Sequence, residues 1–357
     1  MKKFQIVSFI FVSLLTITSL AAPTAALAKA GQGAGAQTYT VIVGGENVSK
    51  GIGVMSFFPE TLKIHVGDTV LWKQNTHEIH TVTFLAGEAM PEVIVPIPGG
   101  QPGEVMINPH VAFPTVPQNG LYDGSTFANS GIMSTDPGQP QQFALTFTKE
   151  GTFTFVCVVH GMMMSGKIEV VGASEKTLSP AAVANQAHQV MHLKLARANK
   201  LFGVATSQIP HPQKNADGTM THFVLIGFSQ GQVDLMSFFP KKLVVHPGDT
   251  VEFMLSDSNV APHTVTFFNG EDDIPFIIPI PNPPGLPILK INPEVLGPIN
   301  PGQLLTTSGV FSSGLLDPNP PFPKSYSWKI GNISGLLDYE CILHDTSGMQ
   351  GVLKVVP

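Results

Sequence analysis

The chain has two cysteines in 357 residues and few charges: 19 lysines and arginines against 25 aspartates and glutamates, 12% in all, for a net charge of −6. Two cysteines exclude a disulfide-stapled scaffold. A sparse charge of negative sign offers no basic face to a phosphate backbone, so nucleic acid is excluded as a partner. The 12 histidines include no His-x-His pair, the arrangement that clustered catalytic metals use. Beyond residue 22 there is no apolar run long enough for a membrane-spanning helix, so no transmembrane segment is expected in the mature chain. Glycine (35) and proline (31) are abundant instead, as in all-β proteins with long, turn-rich loops.

The N-terminus has its own pattern. Met1-Lys2-Lys3 leads into the apolar stretch Phe4 to Ala22 and ends in small residues, Ala26-Leu27-Ala28-Lys29-Ala30. A basic start, a hydrophobic region and an Ala-x-Ala site read as a signal peptide over residues 1–30, which places the mature protein in the periplasm or outside the cell. Serines and threonines within the stretch favour cleavage over a retained anchor. No cysteine follows it to carry a lipid. In an exported protein two cysteines ordinarily pair, but the positions of Cys157 and Cys341 argue against that here.

Those positions are equivalent points of an internal repeat. Met55-Ser56-Phe57-Phe58-Pro59 recurs as Met236-Ser237-Phe238-Phe239-Pro240, and Gly67-Asp68-Thr69-Val70 as Gly248-Asp249-Thr250-Val251, each offset by 181. The offset reaches 183 between His80 and His263, 184 between Cys157 and Cys341, and 185 between Met164 and Met349. A period this long repeats a whole domain rather than a solenoid unit. The expected organisation is domain 1 over residues 38–172, a linker with a helix over 173–217, and domain 2 over 218–357.

Each copy carries the same chemistry. Cys157-Val158-Val159-His160 is followed by Met164, and Cys341-Ile342-Leu343-His344 by Met349; upstream stand His80-Thr81-Val82 and His263-Thr264-Val265. Two imidazoles, a thiolate and a weak axial thioether are the ligand set of a type 1 copper ion. Met163, three residues after His160, is an alternative axial ligand; Met164 is preferred because Met164-Ser165-Gly166 aligns with Met349-Gln350-Gly351. Alternation of Phe153, Phe155 and Cys157, and of Leu337, Tyr339 and Cys341, places each cysteine at the inward-facing end of a strand.

Together the Phe-x-Pro segment, the Gly-Asp-Thr-Val turn, His-Thr-Val and Cys-x-x-His-x(3–4)-Met-x-Gly resemble the cupredoxins of the plastocyanin/azurin family, in both copies and over nearly all of the mature chain. The resemblance implies an all-β protein of two Greek-key β-sandwich domains joined by a short helical linker. It implies two copper ions per chain, one held by His80, Cys157, His160 and Met164, the other by His263, Cys341, His344 and Met349. One feature departs from small cupredoxins: Cys157 lies 77 positions after His80, and Cys341 lies 78 positions after His263. The excess is proline-rich, Val95-Pro96-Ile97-Pro98 and Ile278-Pro279-Ile280-Pro281, and either covers the copper end or builds the domain interface.

Other residues are weighed against these. Thr81 and Thr264 either tie the ligand loops together or are ordinary strand threonines. His77 has no counterpart and reads as a surface residue; His65 and His246 lie beside the Gly-Asp turns, away from the ligands. His188 and His192 share a helix face, a spacing that suits a metal pair, but lack a third ligand. Ser179-Pro180 starts that helix, its stripe runs Ala184, Ala187, Met191, Leu195, Ala198 and Phe202, and Gly203 ends it.

Cupredoxin-like oxidases and nitrite reductases need histidines beside the ligand cysteine. Here the neighbours are Val156 and Val158, and Glu340 and Ile342. The expectation is therefore a carrier and not an enzyme, exchanging electrons with redox partner proteins of the cell envelope. The alternative is a copper-handling protein that buffers the metal, which the Met162-Met163-Met164 run would suit; a multicopper oxidase or nitrite reductase relative ranks below both.

Overall fold

The computed structural model describes residues 35–357. The signal peptide expected over residues 1–30 lies outside the described residues.

Each half is a sandwich of two sheets. In the first, strands Ile52–Phe58, Thr38–Asn47, Thr69–Gln74, Gln142–Phe147 and Leu121–Tyr122 are neighbours in that order, facing a sheet of Thr61–His65, Gly161–Val171, Gly151–Cys157, Thr83–Phe84 and Ala128–Asn129. The second half repeats the pattern: Val233–Phe239, Met220–Gln230, Thr250–Leu255 and Ser325–Lys329 face Lys242–Val245, Gln350–Val355, Gly335–Glu340, Thr266–Phe267 and Phe311–Ser312. Thr38–Asn47 pairs in parallel with Thr69–Gln74, and Thr61–His65 in parallel with Gly161–Val171. These crossovers between sheets make the Greek key.

The repeated motifs have structural causes. In each Gly-Asp turn the carboxylate receives two backbone N–H groups: Asp68 from His65 and Gln37 (2.8 and 2.7 Å), Asp249 from His246 and Met220 (2.9 and 2.8 Å). The turn is thereby tied to the strand entering the next sheet. His65 and His246 stay beside these turns, as expected.

Each sandwich has its own aromatic core. Trp72 packs among Phe84, Phe143, Phe147 and Phe155. Trp328 packs among Phe253, Phe267 and Tyr326. The two tryptophans occupy different strands, since Trp72 sits opposite Phe143 whereas Trp328 sits opposite Val251. Moving the largest ring to the adjacent strand conserves core volume, the condition under which cores tolerate substitution.

The linker helix runs Pro180–Ala198, with Ser179 Oγ accepting from Ala182 N at 3.3 Å and Pro180 in the first turn. It buries Val183, Ala187, Met191 and Ala198; Ala187 and Met191 pack on Ile42, Val54 and Phe58 of the first sandwich. Gly203 does not end it. The helix stops at Ala198, and Gly203 lies inside a second helix, Leu201–Ser207. A glycine in a helix costs about 1 kcal/mol relative to alanine without breaking it. His188 and His192 are exposed on the solvent face.

The two sandwiches share a sheet. Ile52, Gly53 and Val54 pair antiparallel with Leu235, Asp234 and Val233, which joins the inner sheets of both halves into one of ten strands. Residue 53 thus faces its own repeat equivalent, residue 234. Met236 N donates to Gly51 O at 2.8 Å, and Met55 N to Gln232 O at 2.7 Å; each bond is the repeat image of the other. The interface is therefore isologous, with a pseudo-two-fold axis between Gly53 and Asp234. The proline-rich excursions build a second part of this interface: strands Ile94–Pro96 and Val105–Ile107 join Ile288–Ile291 and Ile277–Ile280 in one four-stranded sheet, with Lys290 Nζ ion-paired to Glu104.

Candidate metal centres

Among the described residues, two clusters bring three side chains of metal-binding type together, His80/Cys157/His160 and His263/Cys341/His344. In the first, the two histidine Nδ1 atoms are 3.2 Å apart and lie 3.9 Å (His80) and 3.3 Å (His160) from Cys157 Sγ. In the second the corresponding distances are 3.1, 3.8 and 3.3 Å. A point equidistant from all three atoms of either triangle lies about 2.0 Å from each, within the usual range of metal–nitrogen bonds. The donor set therefore fits a metal ion without rearrangement. Both cysteines are free and buried, so no disulfide forms.

The strands explain the geometry. Cys157 ends Gly151–Cys157, and the chain returns through His160 into Gly161–Val171. Along that return strand Met164, Gly166, Ile168 and Val170 face inward, and Met164 is fully buried in one cluster with Cys157. Met163 is partly buried and also packs against this core, and its carbonyl accepts from Gln232 Nε2 at 3.2 Å. Met162 is 64% exposed. Met349 is likewise buried, on the face of Gly351, Leu353 and Val355. The two histidines and the cysteine of each predicted set thus come together, and Met164 and Met349 are buried in the same cores.

Thr81 and Thr264 do tie the ligand loops together. Thr81 N donates to Cys157 Sγ at 3.3 Å, while Thr81 Oγ1 accepts from Val158 N at 2.8 Å. Thr264 makes the same two bonds to Cys341 Sγ and Ile342 N, at 3.3 and 2.9 Å. A backbone N–H aimed at sulfur stabilises the thiolate and tunes any metal that it binds.

Three features were not read from the sequence. Gly44 and Gly227 occupy repeat-equivalent bulges at φ +72° and +62°, where an added Cβ would lie 2.7 Å from His80 Nε2 and 2.6 Å from His263 Nε2. Only glycine lets the strand approach the first histidine so closely. Their match between the repeats was a usable signal. Asn259 Oδ1 accepts from His263 Nε2 at 3.1 Å, whereas His80 Nε2 is buried with no hydrogen-bond partner. The third is Glu78, whose Oε1 lies 3.6 Å from His160 Nε2 and whose Oε2 lies 3.4 Å from His344 Nε2. Its repeat equivalent is Ala261, so no repeated pattern marked it. His77 is not a simple surface residue either, because its Nδ1 is 2.7 Å from Glu46 Oε1.

These contacts set the charges of the metal-free centres. Burial opposes ionisation of Cys157, yet His160 and His80 hold its pKa well below that of an ordinary thiol. Burial likewise opposes charge on His160 and His344, but the neighbouring thiolate and Glu78 push both upward. His263 is held well below its usual value by burial and by His344. The first site is thus a buried thiolate–imidazolium pair that a cation can replace by displacing protons.

Residues 45–171 match the family of copper binding proteins, plastocyanin/azurin family. Similar solved structures include amicyanin from Paracoccus versutus (19% identity, TM-score 0.23, covering 41% of this chain and 88% of that one). They also include plastocyanin from Dryopteris crassirhizoma (19% identity, TM-score 0.23, covering 38% and 99%). An oxidized amicyanin variant is similar at 21% identity and TM-score 0.22, covering 41% and 89%. No curated protein matches the chain. The matched region lies in the first half of the chain, which is thus similar to the plastocyanin/azurin family of copper binding proteins, and the second half repeats its sandwich and its His/Cys/His group.

Proposed function

We propose that this protein is an exported electron carrier with one type 1 copper site in each domain, domain 1 over residues 38–172 and domain 2 over 218–357. The observation that carries the reading is the duplicated triangle of two imidazoles and a cysteine, each with a buried methionine in the same core. Bound copper would supply reversible one-electron exchange between Cu(I) and Cu(II). The protein's part is to hold donors suited to both states: imidazoles serve either, and thiolate and thioether favour Cu(I). His80, Cys157 and His160, and likewise His263, Cys341 and His344, are already placed, so little rearrangement accompanies a change of charge. Thr81 and Thr264 hold the sulfurs, and the buried cores exclude water from them.

Catalysis is not part of this reading, because valine, glutamate and isoleucine flank the cysteines and no His-x-His pair is present. Residues 1–30 support export, so the electron donor and acceptor are proteins of the cell envelope or its surroundings. Among the described residues no helix is long and apolar enough to cross a membrane. Metal analysis and EPR of the purified protein test the proposal. Two coppers per chain with a strong thiolate-to-copper absorption band are expected, and Cys157→Ser and Cys341→Ser should each remove one centre. One copper per chain, a type 2 spectrum, or turnover of nitrite or a phenol abolished by either substitution overturns it. Copper surrendered readily to an acceptor, without rapid electron exchange, supports the buffering alternative.

A further inference from the structure

The side chain that joins the two centres is a single carboxylate on the interdomain axis. Glu78 presents one oxygen to His160 in its own sandwich and the other to His344 in the second. Its side chain is 10% exposed, and those of the two histidines 14% and 7%. The Nδ1 atoms of both histidines face their cysteines, so each ring spans from a metal triangle to the same carboxylate.

Glu78 sits in a loop whose backbone is anchored on both sides. Its carbonyl accepts from Gln74 Nε2 at 2.8 Å and Thr76 Oγ1 at 3.0 Å. The preceding residue, His77, is fixed by Glu46 through its backbone N–H and its ring, and Ser134 Oγ donates to the His77 carbonyl at 2.9 Å. The second repeat anchors its loop likewise, Asn259 Nδ2 donating to the Ala261 carbonyl and Val260 N to Ser229 Oγ at 3.3 Å, but Ala261 brings no carboxylate. The asymmetry has a steric reason. Near a two-fold axis the two copies of a side chain would occupy the same space, so only one repeat can contribute it.

We propose that Glu78 is a shared positioning residue which couples the two metal centres, orienting His160 and His344 together and making the properties of each centre depend on the other. The inference rests on the reading of two copper sites. A carboxylate that accepts from Nε2–H leaves the Nδ1 lone pair for the metal, fixes the ring orientation and raises ligand basicity. Here one carboxylate stands at ion-pair distance, 3.6 and 3.4 Å, from Nε2 of ligands of two ions, placed to act on both rings. Charge gained or lost at one centre is felt at the other through their common partner, and that influence is reciprocal.

Cu(II) titrations followed by EPR and visible absorption test the proposal in the wild type, Glu78→Gln, Glu78→Ala and the Cys157→Ser/Glu78→Gln double variant. Both Glu78 variants are expected to weaken Cu(II) binding at both centres by roughly 10–100-fold and to shift both spectra. The double variant, compared with Cys157→Ser alone, should show the shift in the second-domain centre by itself. A response confined to the first-domain centre, or no response, overturns the inference. The wild type offers a measurement that needs no variant to fold. In the Zn(II)-loaded protein, NMR should show Nε2–H protons of both His160 and His344 protected from exchange, and absence of the His344 signal overturns the inference. A wild type that never forms two type 1 centres defeats the functional reading instead, and the Zn(II) measurement separates that failure from this one.

Discussion

The first histidines of the two sites differ by one hydrogen bond. His263 Nε2 donates to Asn259, while the equivalent atom of His80 is buried without a partner because Thr76 stands where the second repeat has Asn259. The hydrogen bond increases the donor strength of His263, which favours the more charged Cu(II) state and weakens the drive for reduction. The first centre should therefore have the higher midpoint potential. Redox titrations of Cys341→Ser and Cys157→Ser, each retaining one centre, check it, and the reverse order shows that another contribution outweighs this bond. Asn259→Ala should weaken metal binding in the second domain by roughly 10–100-fold and leave the first centre unchanged. Isothermal titration of the apoprotein reads both.

At the scale of elements, the pairing of Ile52–Val54 with Val233–Leu235 puts one ionisable side chain into the interface. Asp234 is 4% exposed and accepts from Ser229 Oγ at 3.1 Å. Burial pushes its pKa up to about 6; His344, Ser229 and His160 pull it down, and Glu78 adds to the rise. A carboxyl whose pKa is higher when folded than the ordinary value near 3.9 contributes most below that value, and the contribution is lost as pH rises through 6. The metal-free protein should accordingly lose on the order of 2–3 kcal/mol of stability from this group between about pH 4 and pH 7. Asp234→Asn should abolish that part of the slope and raise stability at pH 7. Urea unfolding across the range tests it, and a variant with an unchanged slope refutes the assignment.

Over the whole molecule, the divergence of the repeats specifies how they pair. Each has one carboxylate near the axis, but at a different position: Glu78 faces no second glutamate because its equivalent is Ala261, and Asp234 faces Gly53. A pair of first repeats would bring two Glu78 side chains together, and a pair of second repeats would set Asp234 against itself. Like charges directly opposite one another across strands are destabilising, so the asymmetry selects the mixed pair. Residues 38–200 and 201–357, produced separately, should remain monomers alone and form a one-to-one complex when mixed. Light scattering after size-exclusion chromatography reads the masses, and a homodimer of either half as stable as the mixed pair contradicts the argument. Asp234→Gly should release the second half from this restriction and allow it to self-associate.

The two His/Cys/His groups, the two sandwiches and the duplication were legible in the sequence because each rests on local order or on repetition. Strand alternation set Cys157 inward, the alignment of Met164 with Met349 chose between neighbouring methionines, and the recurrence of His-Thr-Val marked Thr81 and Thr264 as a pair. The proline-rich excursions could be recognised as extra but not assigned, since joining Val105–Ile107 to Ile288–Ile291 depends on how two separate domains meet. Gly203 misled because its conformational freedom is compatible with either a helix end or a helix interior. Glu78, Asn259 and Asp234 were hidden for a different reason. Each lies where the repeats differ, near a symmetry axis or beside one histidine only, so no pattern within the chain repeats it. Which side chain stands between the two centres depends on the space left when the sandwiches pair, and that space exists only in the tertiary structure.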